Sequence, residues 1–167
     1  RGTDMFFASN TPAVVADLDQ VERNITQLVS ALSAEGIAHR PHVKTHKSLY
    51  FAHAQLRLGA KGITCAKLGE AESMVLGGIR DVLIAYPIIG NEKLRRLGNL
   101  LEFSSITCVV NSLEGARGLS VLGRNVKRIP TLIEVDGGMR RGGLAPFEPT
   151  LAFARQIADL PGLDIVG

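Results

Sequence analysis

Val82-Leu-Ile-Ala-Tyr-Pro87 is the run on which the reading of the fold turns. Its residues are apolar almost without a break, so a strand here is buried on both faces rather than half wetted. Doubly buried strands belong to parallel sheets covered by helices. A helix signal follows from 91 to about 101, with Leu94, Leu97 and Leu101 on one side. Working upstream, Gly62-Ile-Thr-Cys-Ala-Lys67 reads as a strand between a helix at 48–58, stopped by Gly59, and a short helix from Glu70 to Leu76, stopped by Gly77-Gly78. Downstream, Ile106-Thr-Cys-Val-Val110 is a strand, and Ser112 caps a helix carrying Leu113, Ala116 and Leu119. Thr131-Leu-Ile-Glu-Val-Asp136 is the next strand, followed by a Gly-rich turn, a helix at about 147–159 and a last strand, Leu163-Asp-Ile-Val166.

The amino-terminal part fits the same rhythm. After a loose lead-in over residues 1–10, Thr11-Pro-Ala-Val-Val-Ala-Asp17 reads as a short strand. Asp19 and Glu22 have capping-box spacing, and Leu18, Val21, Ile25, Leu28 and Leu32 recur at helical intervals up to Gly36. That helix delivers the chain into a strand at 38–44. Strand and helix thus alternate at roughly 20 to 30 residues. Six strands from residue 38 onward, with no G-x-G-x-x-G turn after the first, argue against a dinucleotide-binding fold. The expected fold class is α/β, a (β/α)8 TIM-type barrel of which this chain holds about six of the eight strands.

Composition narrows the class. Of 167 residues, 46% are hydrophobic and 21% charged, which is the balance of a globular domain with a real core. No apolar run approaches the ~18 residues needed to span a bilayer, and no signal peptide precedes the first strand, so a cytoplasmic location is the default expectation. A net charge of +3, spread along the chain, gives no footprint for nucleic acid or a membrane surface. Cys65 and Cys108 fall inside apolar strands and read as small buried hydrophobes. The chain opens on Arg1 and closes on an uncovered strand, and reads as a segment of a longer protein. Expressed alone it is expected to be inactive and poorly soluble, because an open barrel leaves sheet edges unpaired.

In a barrel, functional groups lie at or beyond the carboxyl ends of strands. Those positions hold Lys44 to Lys47, Lys67, Tyr86, Asn111 and Asp136-Gly-Gly-Met-Arg-Arg-Gly-Gly143. The densest is His39-Arg-Pro-His-Val-Lys-Thr-His-Lys47. If it is extended, Arg40, His42, Lys44 and His46 share one face. Neighbouring positive charge disfavours the ammonium form of Lys44, and a neutral amine can bind a carbonyl compound covalently. A solvated basic strand and a nucleic-acid patch are the competing readings. The Gly-rich run lets backbone approach a ligand and offers two guanidiniums to an anion; the alternative is a mobile loop with exposed arginines.

Taken together, these stretches resemble a family. Thr11-Pro12 with Val-Val-Ala-Asp-Leu-Asp19, Arg40-Pro-His-Val-Lys-Thr-His-Lys47, Ala66-Lys-Leu-Gly-Glu-Ala-Glu72, Ile84-Ala-Tyr-Pro-Ile88 and Glu134-Val-Asp-Gly-Gly-Met-Arg-Arg-Gly-Gly143 resemble, in order, the N-terminal half of the D-threonine aldolase and D-serine dehydratase family. The resemblance implies an alanine-racemase-like barrel and pyridoxal 5'-phosphate as cofactor. It implies that Lys44 carries the cofactor covalently and that Arg141 contacts its phenolic oxygen side, with the adjacent Arg140 as the alternative. His42 is expected near the cofactor, and Tyr86 either lines its pocket or simply ends a strand; His46 and Asp136 are expected behind them, His53 packing on its helix and Lys67 as a solvated strand end.

The implied activity is a lyase on D-3-hydroxy amino acids, a retro-aldol cleavage to glycine and an aldehyde. Dehydration of D-serine or D-3-hydroxyaspartate is the alternative, followed by an amino-acid racemase or a non-catalytic carrier of the cofactor. The resemblance further implies a divalent metal, Mn or Zn, held by a C-terminal domain outside these residues, since no metal site is expected in this chain. It also implies a homodimer, a small D-amino acid as the binding partner, and pairing of the strand at 11–17 with that C-terminal β domain.

Overall fold

The computed structural model describes residues 11–167. The lead-in at residues 1–10 lies outside the described residues. Five strands, β1 (Ile63–Cys65), β2 (Asp81–Ile84), β3 (Ser105–Val110), β4 (Ile129–Ile133) and β5 (Leu163–Ile165), form one sheet in the order β1-β2-β3-β4-β5. Every pair is parallel, with registers such as Val82 opposite Ile106 and Cys108 opposite Thr131. Between them run α3 (Leu68–Leu76), α4 (Asn91–Leu101), α5 (Leu113–Asn125) and α6 (Glu148–Ile157); α1 (Leu18–Ala34) and α2 (Leu49–Arg57) precede β1. This is the expected strand-helix alternation, and its geometry is that of a partial barrel with all strand carboxyl ends gathered on one side.

The core explains the order. Val82, Ile84, Ile106, Cys108 and Ile129 are fully buried along the sheet, against Ala71 and Met74 of α3, Leu97 and Leu101 of α4, and Ala116 and Leu119 of α5. Each helix lays one apolar stripe on neighbouring strands, which is why the buried positions of β2 and β3 are apolar. Cys65 and Cys108 are buried unpaired, and burial pushes both thiols up to about 12, with Glu70 adding to the effect on Cys65. They pack as hydrophobes, as the sequence suggests.

Four expectations need correcting. Residues 13–17 form no strand; Val14 is wholly exposed, so two apolar residues without a partner surface are not enough to make one. The α1 cap is Asp17, whose carboxylate accepts the Gln20 N–H at 3.0 Å, rather than Asp19. The segment at 38–44 contributes a single parallel bridge, His42 to Thr64, so the sheet has five strands and a bridge instead of six strands. β4 starts at Ile129, before the predicted Thr131: Pro130 disguised the strand, although only its missing donor is lost there.

One junction is packed to contact. A Cβ on Gly123 of α5 would overlap the Gly162 carbonyl oxygen, and one on Gly162 would overlap the Ser120 carbonyl. Backbone meets backbone there, so no side chain can swing aside. Gly123→Ala should cost roughly 1–3 kcal/mol and lower the melting temperature by ~2–8 °C. Gly137→Ala, which meets open space, should leave it unchanged.

Candidate active site

At the carboxyl ends of the strands lies a cavity of about 660 Å³, a size suited to a cofactor with its substrate. His42 and Lys44 enter it from the segment before β1, Tyr86 from the end of β2 and Asn111 from the end of β3. Glu134, Asp136 and Arg141 enter from beyond β4. Residues more than ninety positions apart in the chain are thus brought to one place by the barrel alone.

The lysine sits on a tight turn. Pro41 and Val43 still bond to Thr64 of β1, through Thr64 N–H to Pro41 O at 2.7 Å and Val43 N–H to Thr64 O at 2.9 Å. The Lys47 N–H then closes back on Val43 O at 2.8 Å, and Lys47 adopts φ 49°. The Lys44 N–H donates to His42 Nδ1 at 3.3 Å, so the ring braces the lysine's own backbone. Burial first, then the charge of Lys44, lowers the His42 pKa against the opposing pull of Glu70 and the Thr64 backbone. The shift favours the form of the ring whose Nδ1 accepts the Lys44 N–H.

That turn corrects the alternation expected of an extended segment. His46 leaves the face of Lys44 and turns onto α2, where Nδ1 accepts the Ser48 N–H at 3.0 Å and the ring meets Phe51 edge-on at 5.6 Å between centroids. Burial lowers its pKa, with Gln55 and the Ser48 backbone pulling the other way. Arg40 is also elsewhere: its guanidinium forks onto Asp81 at the start of β2, at 2.8 and 3.1 Å. A side-chain period of two holds only while the backbone stays extended, and here it ends at Val43.

The loop after β4 is built rather than loose. Asp136 Oδ1 accepts the N–H groups of Gly138 and Arg140, both at 3.0 Å. The Asp136 N–H donates to Leu144 O at 2.8 Å and the Leu144 N–H to Glu134 O at 2.8 Å, closing the loop at its base. Gly143 has φ 93°, and a Cβ there would crowd Asp136 N at 2.7 Å, so glycine is required. Arg140, at φ 50°, takes its backbone from Asp136 and is not on the cavity wall; Arg141 is. Asp136 therefore holds an arginine by its backbone, not by its guanidinium.

The remaining expected residues fall as follows. Tyr86 is on the wall and largely exposed. His53 Nε2 meets Gly77 O at 2.9 Å, tying α2 to α3, which is a packing role. Lys67 is exposed at the start of α3. From the sequence Asn111 is marked only by its place at a strand end, and Glu134, Lys93 and Glu70 are given no role. Asn111 donates to Glu134 Oε2 at 2.8 Å inside the cavity, Lys93 of α4 reaches the same wall, and Glu70 is buried behind the lysine turn. The signal for Asn111 and Glu134 was their place at strand ends; Lys93 and Glu70, on helices, carried none. Among the described residues no three His, Cys, Asp or Glu side chains come together as a metal site would need.

Fold and cavity define a class: a parallel (β/α) barrel segment with its polar groups collected around a lysine at the strand ends. Residues 16–167 match the family model of the alanine racemase N-terminal domain, and the chain belongs to that family. It is 36% identical over 159 residues to the D-threonine aldolase of Arthrobacter sp, covering 95% of this chain and 42% of that one. It is 34% identical over 152 residues to the D-threo-3-hydroxyaspartate dehydratase of Delftia sp. (strain HT23), covering 90% and 40%. The crystal structure of D-threonine aldolase from Filomicrobium marinum superposes with a TM-score of 0.89 at 34% identity, over 95% of this chain and 43% of that one. The resemblance read from the motifs is borne out. The chain spans roughly two fifths of the length of these relatives. Among the described residues no helix is long and apolar enough to cross a membrane.

Proposed function

We propose that this chain is the cofactor-bearing barrel portion of a pyridoxal-phosphate-dependent lyase that cleaves D-3-hydroxy amino acids to glycine and an aldehyde. One observation carries the reading: Lys44 and Arg141 open into one cavity of cofactor size, in a chain whose relatives include D-threonine aldolases. A primary amine, a guanidinium and the flat wall of Tyr86 and Pro87 fit pyridoxal phosphate. When bound, the cofactor's ring takes up the electrons of the bond broken at Cα.

The chain's own residues supply the rest. Lys44, on the cavity wall, would hold the cofactor through its side-chain amine, and the same amine could give or take a proton beside a bound substrate. Arg141, on the cavity wall in the loop that Asp136 braces, would offer its cation to the cofactor's phenolic oxygen. His42, bonded to the Lys44 N–H, fixes the lysine's position. A divalent metal (Mn or Zn) held outside these residues, a homodimeric assembly, a cytoplasmic location and a small D-amino acid as substrate complete the proposal. Incubating the full-length protein with D-threonine should give glycine and acetaldehyde, with L-threonine untouched. Racemisation of alanine in place of either cleavage or dehydration would overturn it.

Dehydration of a D-3-hydroxy amino acid is the second reading, as in the Delftia relative. One observation bears on the substrate of either reaction. Lys93 stands on the cavity wall, and a second carboxylate on the substrate would suit it. Lys93→Gln should cut kcat/KM for D-threo-3-hydroxyaspartate by about tenfold or more and spare D-threonine; equal losses on both would contradict this placement.

A further inference from the structure

α3 opens with a carboxylate that the cavity does not use. Glu70, only 8% exposed, accepts the Ala66 N–H at 2.8 Å and meets the Lys47 ammonium at 3.4 Å. Burial alone would push its carboxyl up, yet the Ala66 N–H together with Lys47 and Lys67 outweighs burial and holds it below the usual range. It is an anion kept in place behind the lysine turn.

What it grips is the residue that most needs gripping. Lys47 lies in the left-handed backbone region, which a side chain with a Cβ adopts at an energetic cost. The same residue closes the turn through its N–H on Val43 O, and Lys44 stands inside that turn. The other ionisable groups facing Glu70 are His42 across the turn, Lys67 on its own helix and Cys65 of β1.

We infer that Glu70 is a positioning residue for the cofactor-binding lysine: through Lys47 it clamps the turn that aims Lys44 into the cavity. The inference rests on the proposed role of Lys44. It differs from a helix-capping role, in which the bond to Ala66 alone would matter. Glu70→Gln keeps an acceptor for Ala66 and removes the charge; Lys47→Met, at a side chain that is largely solvated, removes the other half of the pair.

Pyridoxal phosphate is titrated into the full-length protein and its variants, following the visible absorption of the lysine-bound cofactor across a range of pH, with melting temperature measured alongside. Each single variant should weaken apparent cofactor affinity on the order of tenfold at an unchanged melting temperature. The double variant should be no worse than either single, and Lys47→Arg should restore affinity. Unchanged affinity, additive losses in the double variant, or opposite shifts of the pH midpoint without loss of affinity would overturn the clamp. If the wild type itself shows no lysine-dependent absorption, the role of Lys44 fails instead.

Discussion

Lys44→Ala in the full-length protein is expected to abolish the visible absorption band near ~420 nm that marks a lysine-bound cofactor and to lower kcat for D-threonine by ~10³ or more. The expectation follows from position. Lys44 is carried into the cavity by a turn closed at 2.8 Å between Lys47 and Val43 and braced by His42, and no rotation about its own side chain is needed to reach the ligand space. Lys47 is committed to Glu70 and Lys67 lies outside the cavity, so neither can stand in. Lys93 shares the wall but starts from α4 on another side. A variant that kept the band would move the covalent link to Lys93.

The second large effect separates two adjacent arginines. Arg141→Ala should weaken cofactor binding by about 10- to 100-fold, the range of a lost charge-assisted hydrogen bond. Arg140→Ala should change it by no more than about twofold, because Arg140 meets Asp136 through its backbone, which alanine retains. Cofactor titration by absorbance reads both. A larger loss for Arg140 would mean that the loop is aimed the other way when loaded.

The two arginines also show where sequence reading stops. Spacing placed both on one loop, and the choice between them required the bonds from Asp136 and the φ values of Gly138, Arg140 and Gly143. β2 and β3 were legible because their buried positions, Val82 and Ile84, then Ile106 and Cys108 to Val110, leave largely apolar runs, and Ser112 was legible because its hydroxyl accepts the Gly115 N–H at 3.3 Å as a cap should. The segment before β1 was misread in its second half. Nothing in His-Val-Lys-Thr-His announces that the backbone turns at Val43, and the turn decides that His42 stays with Lys44 while His46 goes to Phe51. Glu70 looked like any acidic residue in a first helical turn; that it is buried and paired with Lys47 depends on the turn before β1, which the sequence did not announce. Val14 and Val15 erred in the other direction, since β-branched residues favour strands only where an edge receives them.

Lys44 is expected to be the lysine that binds pyridoxal phosphate in this cavity. Reducing the loaded full-length protein with borohydride fixes the cofactor on whichever amine holds it, and mass spectrometry of the digested protein then reads the position. The account predicts the added mass on the peptide containing Lys44 and its loss in Lys44→Ala. The same mass on Lys47, Lys67 or Lys93, or on none of them, would contradict it.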